Sequence, residues 1–453
     1  MLDILIKNGQ YVDFDGGRLV YGDIGVRGGK IVSVGEVGED AKTTVDAVGK
    51  LVACGFVDIH MHEEQFAFEG EEYDIALRML RMGVTTAVGG NCGSQLQSVA
   101  DFRAAIERLG GAPCNYLLLA GYNSARRIAA NLGAYERADD EQIDIAAAHV
   151  AGEIEAGASG ISFGVEYDPG ITEEEIVRAI NAQKHRGIFA AMHYRGDGEE
   201  AIDSIREMIR IARATGTRFQ ISHLSSCSAM GQMEEALKLI NKAVEENPQL
   251  DYDTYPYNAF CTFIGTASFD GDSFEHWQAQ NAGIMIASGE HAGKFCDKAL
   301  FERVREENPF TLVVVFAMRE NEIAMAVANP DCGMIGSDGV LMQGLGHPRA
   351  TGTFARVLAK YVRDEGALSL VCALRKMSVT PAARLGLANK TRIAPGYDAD
   401  LVVFDPYAVQ DRATFEEPNL PPCGYKAVVV NGRLAVMDDA VVDARAGRFI
   451  QSL

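Results

Sequence analysis

The strongest constraint on this chain is a repeating order in its middle. Short apolar runs alternate with amphipathic stretches, and most runs end in a residue able to bind a metal. The runs fall at 55–60, 85–89, 115–120, 160–163, 188–193, 218–223, 250–253 and 334–338. Segments with helical periodicity at 74–82, 98–109, 173–185, 201–214 and 233–245 separate them. Strand–helix repetition of this kind predicts an α/β protein with a parallel sheet, and eight strands fit a (β/α)8 TIM-type barrel. In such a barrel the C-terminal strand ends converge on one mouth. Here those ends read His60-Met61-His62, Asn91-Cys92-Gly93, His193-Tyr194-Arg195, Ser222-His223 and Ser337-Asp338.

The two ends of the chain follow a different rule. Residues 1–50 and 394–453 carry short runs with period-2 alternation, broken by glycine, as in Lys30-Ile31-Val32-Ser33-Val34 and Ala427-Val428-Val429-Val430. That pattern predicts antiparallel hairpins. A separate core for each piece is marginal at that size, so the ends are expected to build one small β-sandwich together. The expected organisation is therefore 1–50 plus 394–453 as the sandwich and 51–393 as the barrel. The stretch 262–332 exceeds what one helix needs and is read as an insertion at the barrel mouth, a candidate lid.

Composition narrows the partners. Lys and Arg number 42 against 63 Asp and Glu, a formal charge of −21. Such a chain repels phosphate backbones and anionic lipid, which argues against nucleic acid and membrane surfaces and for a small-molecule substrate. The nine cysteines form no CxxC pair, and Met1–Lys7 shows no basic, apolar leader pattern. A reduced, cytoplasmic protein is expected, in which a special cysteine is a ligand or nucleophile.

His60 and His62, two apart on an extended segment, point the same way and can grip one ion. An HxH pair alone is a weak signal and more often an ordinary polar loop; its place after the apolar run 53–59 strengthens the ligand reading. His193 and His223 each close an apolar run, where a single histidine is commonly structural but two on neighbouring strands beside an HxH are not. His149, His185, His276 and His291 lie in helical or insertion segments and are given no role. Cys92 sits in a glycine-flanked turn that lets backbone approach an ion, and its thiolate would suit zinc. The other eight cysteines read as buried free thiols that pack as small hydrophobes. Asp338 can bind metal or take a proton from water, although Ser-Asp also commonly caps a helix.

At these residues the sequence resembles the amidohydrolase superfamily and, within it, the N-acyl-D-amino acid deacylase (D-aminoacylase) family. The similarity runs through Gly55–His62, Gly83–Thr86, Gly90–Gly93, Gly160–Gly164, Tyr167–Gly170, His193–Arg195, Ile221–Leu224, Asp253–Tyr257, Gly336–Gly339, His347-Pro348-Arg349 and Ala413–Phe415. It implies zinc-dependent hydrolysis of N-acyl-D-amino acids. It implies that Cys92, His193 and His223 hold a tighter Zn2+. His60, His62 and Asp338 would line a second, weaker position, with Cys92 a candidate bridge. Asp338 would act as general base and acid. Arg349, aided by Tyr255, would clamp the substrate α-carboxylate through its guanidinium fork, with His347 orienting that loop.

One position departs from the family. Members often carry a lysine two residues after the sixth-strand histidine, and here Ser225 stands there. This disfavours an N-acyl-D-glutamate substrate unless Lys or Arg from the insertion replaces it. Two rival functions share the fold. A cyclic-amide hydrolase of the dihydroorotase or hydantoinase type typically bridges its metals with a strand-four lysine, and residues 156–170 contain none. A non-catalytic scaffold would usually have lost ligands, and it should purify without stoichiometric zinc.

Overall fold

A computed structural model describes residues 1–66, 72–275 and 283–451, so His276 and part of the expected insertion lie outside the described residues. Both ends of the chain meet in one nine-stranded sheet. Leu2–Asp13, Arg18–Arg27 and Lys30–Gly35 pair antiparallel in succession. Leu401–Phe404, Tyr425–Val430, Arg433–Met437 and Ala440–Val441 do likewise at the other end. The join is Leu51–Cys54, which pairs antiparallel with Leu401–Phe404, residue Val402 opposite Ala53. Alternation drives the packing: Ile4, Ile6, Ile24, Val26, Val52, Val402 and Val428 are all buried. Each such aliphatic side chain contributes about 1.5–3 kcal/mol when fully withdrawn from water.

The hairpin expectation needs one correction. Ala41–Asp46 and Leu51–Cys54 run parallel to Leu2–Asp13. The chain after Gly35 returns to the start of the first strand, where the Leu2 amide donates to the Asp40 carbonyl at 2.8 Å, and so re-enters in the same direction.

The middle of the chain forms parallel strands, labelled here in chain order. They are β1 (Phe56–Asp58), β2 (Val84–Gly89), β3 (Asn115–Leu118, continued by Ala120–Gly121), β4 (Gly160–Gly164), β5 (Phe189–His193), β6 (Arg218–Ile221), β7 (Leu250–Thr254) and β8 (Met334–Ile335). Each pairs in parallel with the next, β3 using its first part toward β2 and its second toward β4. Beyond β8 the Asp338 amide donates to the His60 carbonyl at 2.7 Å and the His62 amide to the Gly339 carbonyl at 2.9 Å. Those bonds bring the far ends of β8 and β1 side by side. Helices between the strands start where capping chemistry places them: Asp139 with Gln142 and Thr172 with Glu175 complete capping boxes ahead of Asp140–Ala156 and Glu173–Gln183. Ala201–Thr215 stops at Gly216, whose φ of +58° takes the left-handed turn cheaply.

Between β7 and β8 lies a small antiparallel sheet of Phe260–Phe263, Leu312–Phe316 and Gly283–Ile286, with Leu312–Phe316 central. It has its own apolar packing, including Ala259, Cys261, Met285, Leu312 and Val314. Cys296, Cys332, Cys372 and Cys423, expected as buried thiols, prove to be only partly buried. Among the described residues no helix is long and apolar enough to cross a membrane.

Candidate metal centre

Every sequence-selected ligand stands at or just beyond the C-terminal end of a parallel strand. His60 and His62 follow β1, Cys92 follows β2, His193 ends β5, His223 follows β6 and Asp338 follows β8. Four of the six, His60, Cys92, His223 and Asp338, are buried with their ligand atoms within 4.8 Å of one another. Cys92 Sγ is 3.4 Å from His60 Nε2 and 3.5 Å from His223 Nε2. The other two border this group. His62 Nε2 is 3.3 Å from Asp338 Oδ1, and the His193 ring lies 4.5 Å, centre to centre, from that of His223.

The backbone is bent to make this possible. Cys92, His223 and Asp338 have φ of +55°, +33° and +50°. Non-glycine residues in that region store strain, which persists where the surroundings enforce it. Around Cys92 the turn is forced by Gly90 and Gly93, at φ +72° and +71°. A Cβ on the first would lie 2.1 Å from the Leu119 carbonyl oxygen, and on the second 1.8 Å from Asn123 Oδ1.

A second ring of partners fixes the histidines. His60 Nδ1 faces Asp253 Oδ2 at 3.2 Å, His193 Nε2 faces Glu166 Oε2 at 2.8 Å, and His223 Nδ1 faces Ser226 Oγ at 2.8 Å. Asp253 Oδ1 also accepts the His223 amide at 2.8 Å. These partners set ring orientation and tautomer, as carboxylates behind metal-binding histidines do. Sequence reasoning gave Asp253, Glu166 and Ser226 no role. The available signal was position alone: Asp253 and Glu166 lie within two residues of a strand end, and Ser226 lies in the short helical turn that follows His223.

Electrostatics in the group are reciprocal. Burial alone would push the Cys92 thiol up, but His60, His193 and His223 outweigh it and hold it well below the usual thiol range. Burial would likewise raise Asp338, yet Arg349 first, then His223, His62 and His60, keep it well below the usual carboxylate range. Burial opposes charge on His62 and His193, but hydrogen bonds to Asp338 and Cys92 for the former, and to Cys92 and Glu166 for the latter, push both up to about 9. The donor set of one thiolate, several imidazoles and a carboxylate is that of a zinc site. His193 Nδ1 fits the same picture, being buried without a hydrogen-bond partner.

Arg349 and Tyr255 adjoin the cluster, both fully buried. Arg349 Nη1 stands 2.9 Å from Asp338 Oδ2, its Nη2 donates to the Cys261 carbonyl at 3.0 Å, and its guanidinium lies 4.7 Å over the Tyr255 ring. The Nη1 contact is an ion pair outside hydrogen-bond geometry, so Nη1, Nε and the Tyr255 hydroxyl have no hydrogen-bond partner. His347 holds the loop. Its Nδ1 accepts the Arg349 amide at 2.9 Å and its Nε2 meets the Ala259 carbonyl at 3.1 Å. That requires the neutral Nε2–H tautomer, consistent with burial and then Arg349 depressing its pKa far below the usual value. A cavity next to the cluster is lined by His193, His223 and Asp338, by Glu166 and Asp197, and by Thr262 and Ser268 from the inserted segment.

A parallel sheet carrying a histidine–cysteine–aspartate cluster at its strand ends defines a metal-dependent hydrolase, and residues 301–436 match the amidohydrolase family. Over 99% of its length the chain is 31% identical to the D-aminoacylase of Alcaligenes xylosoxydans xylosoxydans, covering 97% of that protein. It is also 31% identical to the N-acyl-D-glutamate deacylase of the same organism, over 99% and 96% of the two chains. Among solved structures, the N-acyl-D-glutamate deacylase of Bordetella bronchiseptica, complexed with zinc and a phosphonate mimic of the tetrahedral intermediate, superposes with a TM-score of 0.88. That match has 29% identity and covers 99% of each chain. The chain belongs to the D-aminoacylase family of amidohydrolases.

Proposed function

We propose that this enzyme hydrolyses the amide of N-acyl-D-amino acids, giving a carboxylate and a free D-amino acid. The observation that supports the reading is a buried guanidinium with unpartnered N–H groups beside a cluster of candidate metal ligands. Arg349 is buried against Asp338 with Nε and Nη1 lacking hydrogen bonds. A bidentate guanidinium suits an α-carboxylate, which the α-amide of this substrate class carries. We assign one tightly held Zn2+ to Cys92, His193 and His223, and a weaker position to His60, His62 and Asp338. We further read β1 to β8 as a closed (β/α)8 barrel, 51–393, with the inserted segment at its mouth. Residues 1–50 and 394–453 form the β-sandwich, joined through Leu51–Cys54.

Zinc held there would supply a Lewis acid able to lower the pKa of water toward neutrality and to polarise the scissile carbonyl. The protein's own groups do the rest. Arg349 and Tyr255 fix the α-carboxylate, and a fixed carboxylate beside a fixed proton acceptor presents one face of the α-carbon, which makes the site chiral. Asp338, kept ionised by Arg349 and the histidines, takes the proton of water as its oxygen adds to the carbonyl carbon. The same low pKa makes the protonated Asp338 a strong acid. It returns that proton to the amide nitrogen as the C–N bond breaks.

The test is release of free amine from paired N-acetyl-D- and N-acetyl-L-amino acids by zinc-replete protein. Turnover confined to the D-series is expected. Turnover of the L-series, or of cyclic amides in preference to linear ones, would replace this reading with another amidohydrolase activity.

A further inference from the structure

The chain between Leu401–Phe404 and Tyr425–Val430 does not close the terminal sheet by a short turn. Residues 405–424 leave it and are tied to the middle of the chain. Arg363 donates to the Val409 carbonyl at 2.6 Å and to Gln410 Oε1 at 2.8 Å, and Arg356 pairs with Asp411 at 3.1 Å. Asn419 accepts from Arg78 at 2.7 Å and donates to the Gly344 carbonyl at 2.7 Å. Between these ties Phe415 lies on the loop that carries Arg349. Its ring meets that of His347 nearly at right angles, 5.0 Å apart at 84°, and that of Phe316 at 4.7 Å and 66°. Tyr257 adds a further ring against His347 at 5.2 Å and 88°.

We infer that Phe415 is a positioning residue for the α-carboxylate clamp, acting through both anchors of Arg349. The inference rests on the assignment of that carboxylate to Arg349 and deepens it. The first anchor is His347, whose Nδ1 holds the Arg349 amide at 2.9 Å while its Nε2 is fixed on the Ala259 carbonyl at 3.1 Å. The second is the Cys261 carbonyl, which takes Arg349 Nη2 at 3.0 Å. Cys261 stands opposite Val314 in the inserted sheet, on the strand that ends at Phe316. One aromatic ring therefore touches the histidine that holds the Arg349 backbone and the strand paired with the one that holds its fork. Aromatic pairs favour defined edge-to-face or offset geometries, so this ring sets direction as well as filling space. Without it His347 loses a wall and the fork is free to drift. A displacement of about 1 Å at a substrate-positioning group is enough to cost about 100-fold.

The test compares the most rapidly hydrolysed N-acetyl-D-amino acid with its primary amide, which lacks the anionic carboxylate, with released acetate as the readout. In Phe415→Ala, KM for the acid should rise about tenfold at wild-type zinc content while kcat stays within about threefold, as loss of binding common to ground and transition states requires. The acid-to-amide ratio of kcat/KM should fall about fivefold or more, a ratio in which expression and zinc loading cancel. Phe415→Tyr keeps the ring and should hold both values within about twofold of wild type. Phe415→Leu keeps apolar bulk without a ring edge and should lower the ratio about threefold, so it carries the test if the alanine variant does not fold. A ratio unchanged in these variants, even with falling stability or activity, reduces Phe415 to packing and overturns the inference. So does a Phe415→Tyr variant no better than Phe415→Leu. If the wild type hydrolyses no N-acetyl-D-amino acid, the deacylase reading fails and the clamp with it, whereas D-substrate turnover with an unchanged ratio removes the role of Phe415 alone.

Discussion

Asp338 carries three demands on one carboxylate. Its Oδ2 meets Arg349 at 2.9 Å, its Oδ1 meets His62 at 3.3 Å, and its left-handed backbone is pinned to the His60 carbonyl. Asp338→Asn preserves shape but cannot accept the proton. Its kcat should fall about 10²–10⁴-fold while the tight zinc is retained, as metal analysis and steady-state kinetics would show. Full turnover by this variant would remove Asp338 from proton transfer. Asp253 works behind the ligands instead. Because it faces His60 Nδ1 and anchors the His223 amide, Asp253→Asn should weaken zinc about 10–100-fold, measured by chelator competition. An unchanged affinity would mean that Asp253 serves packing alone. The candidate ligands were legible in the sequence, since His, Cys and Asp at the ends of apolar runs are chemically conspicuous. Asp253 and Glu166 were not, because an acid near a strand end gains its partner only from the register of the neighbouring strand, and Ser226 was not, because it reaches His223 only through the short helical turn between them. Glu166 meets His193 because Gly164 is paired with His193 across β4 and β5.

At the scale of the element, the turn after β2 shows how backbone shape brings Cys92 into the cluster. Gly93→Ala would put a methyl 1.8 Å from Asn123 Oδ1 at φ +71°, displacing Asn123, which itself ties the turn to the Gly164 carbonyl at 2.7 Å. Gly49→Ala is the matched control, with φ +70° and nothing within 4 Å. Both variants bear the left-handed cost of about 1–2 kcal/mol, and Gly93→Ala adds the clash. Zinc content should drop for Gly93→Ala and stay at the wild-type level for Gly49→Ala, with a larger fall in thermal midpoint for the former. Equal zinc content in both would show that Cys92 tolerates a relaxed turn. The eight parallel strands could be read ahead because both faces of each are covered, leaving continuous apolar runs ended by polar residues. The direction of Ala41–Asp46 and Leu51–Cys54 could not. Period 2 reports only that one face is buried, and is the same for a parallel or an antiparallel neighbour. The inserted sheet was equally opaque: Leu312–Phe316 reads as one more buried run, and its partners at 260–263 and 283–286 come from far along the chain.

Across the whole molecule, the site depends on the terminal sheet being fastened to the parallel strands, and one buried polar knot does much of that. Lys390 pairs with Asp400, immediately ahead of Leu401–Phe404, and lies 3.5 Å from Asp398. Asp400 in turn accepts the Asn431 amide at 3.0 Å and Asn115 Nδ2, at the start of β3, at 3.4 Å. Lysine and aspartate are both almost fully buried, so removing one leaves the other's charge without water or counter-ion. Lys390→Met should therefore cost about 3–5 kcal/mol in denaturant unfolding. Asp400→Asn in the same chain should recover part of that loss, because asparagine still accepts from Asn431 and no longer carries the stranded charge. If the knot acts only as a fastener, the double variant should regain zinc binding and kcat together with stability. If stability returned without kcat, the terminal sheet would be doing more than holding the strands. The seam between the chain's two ends and its middle would then help set the positions of Cys92 and the histidines directly.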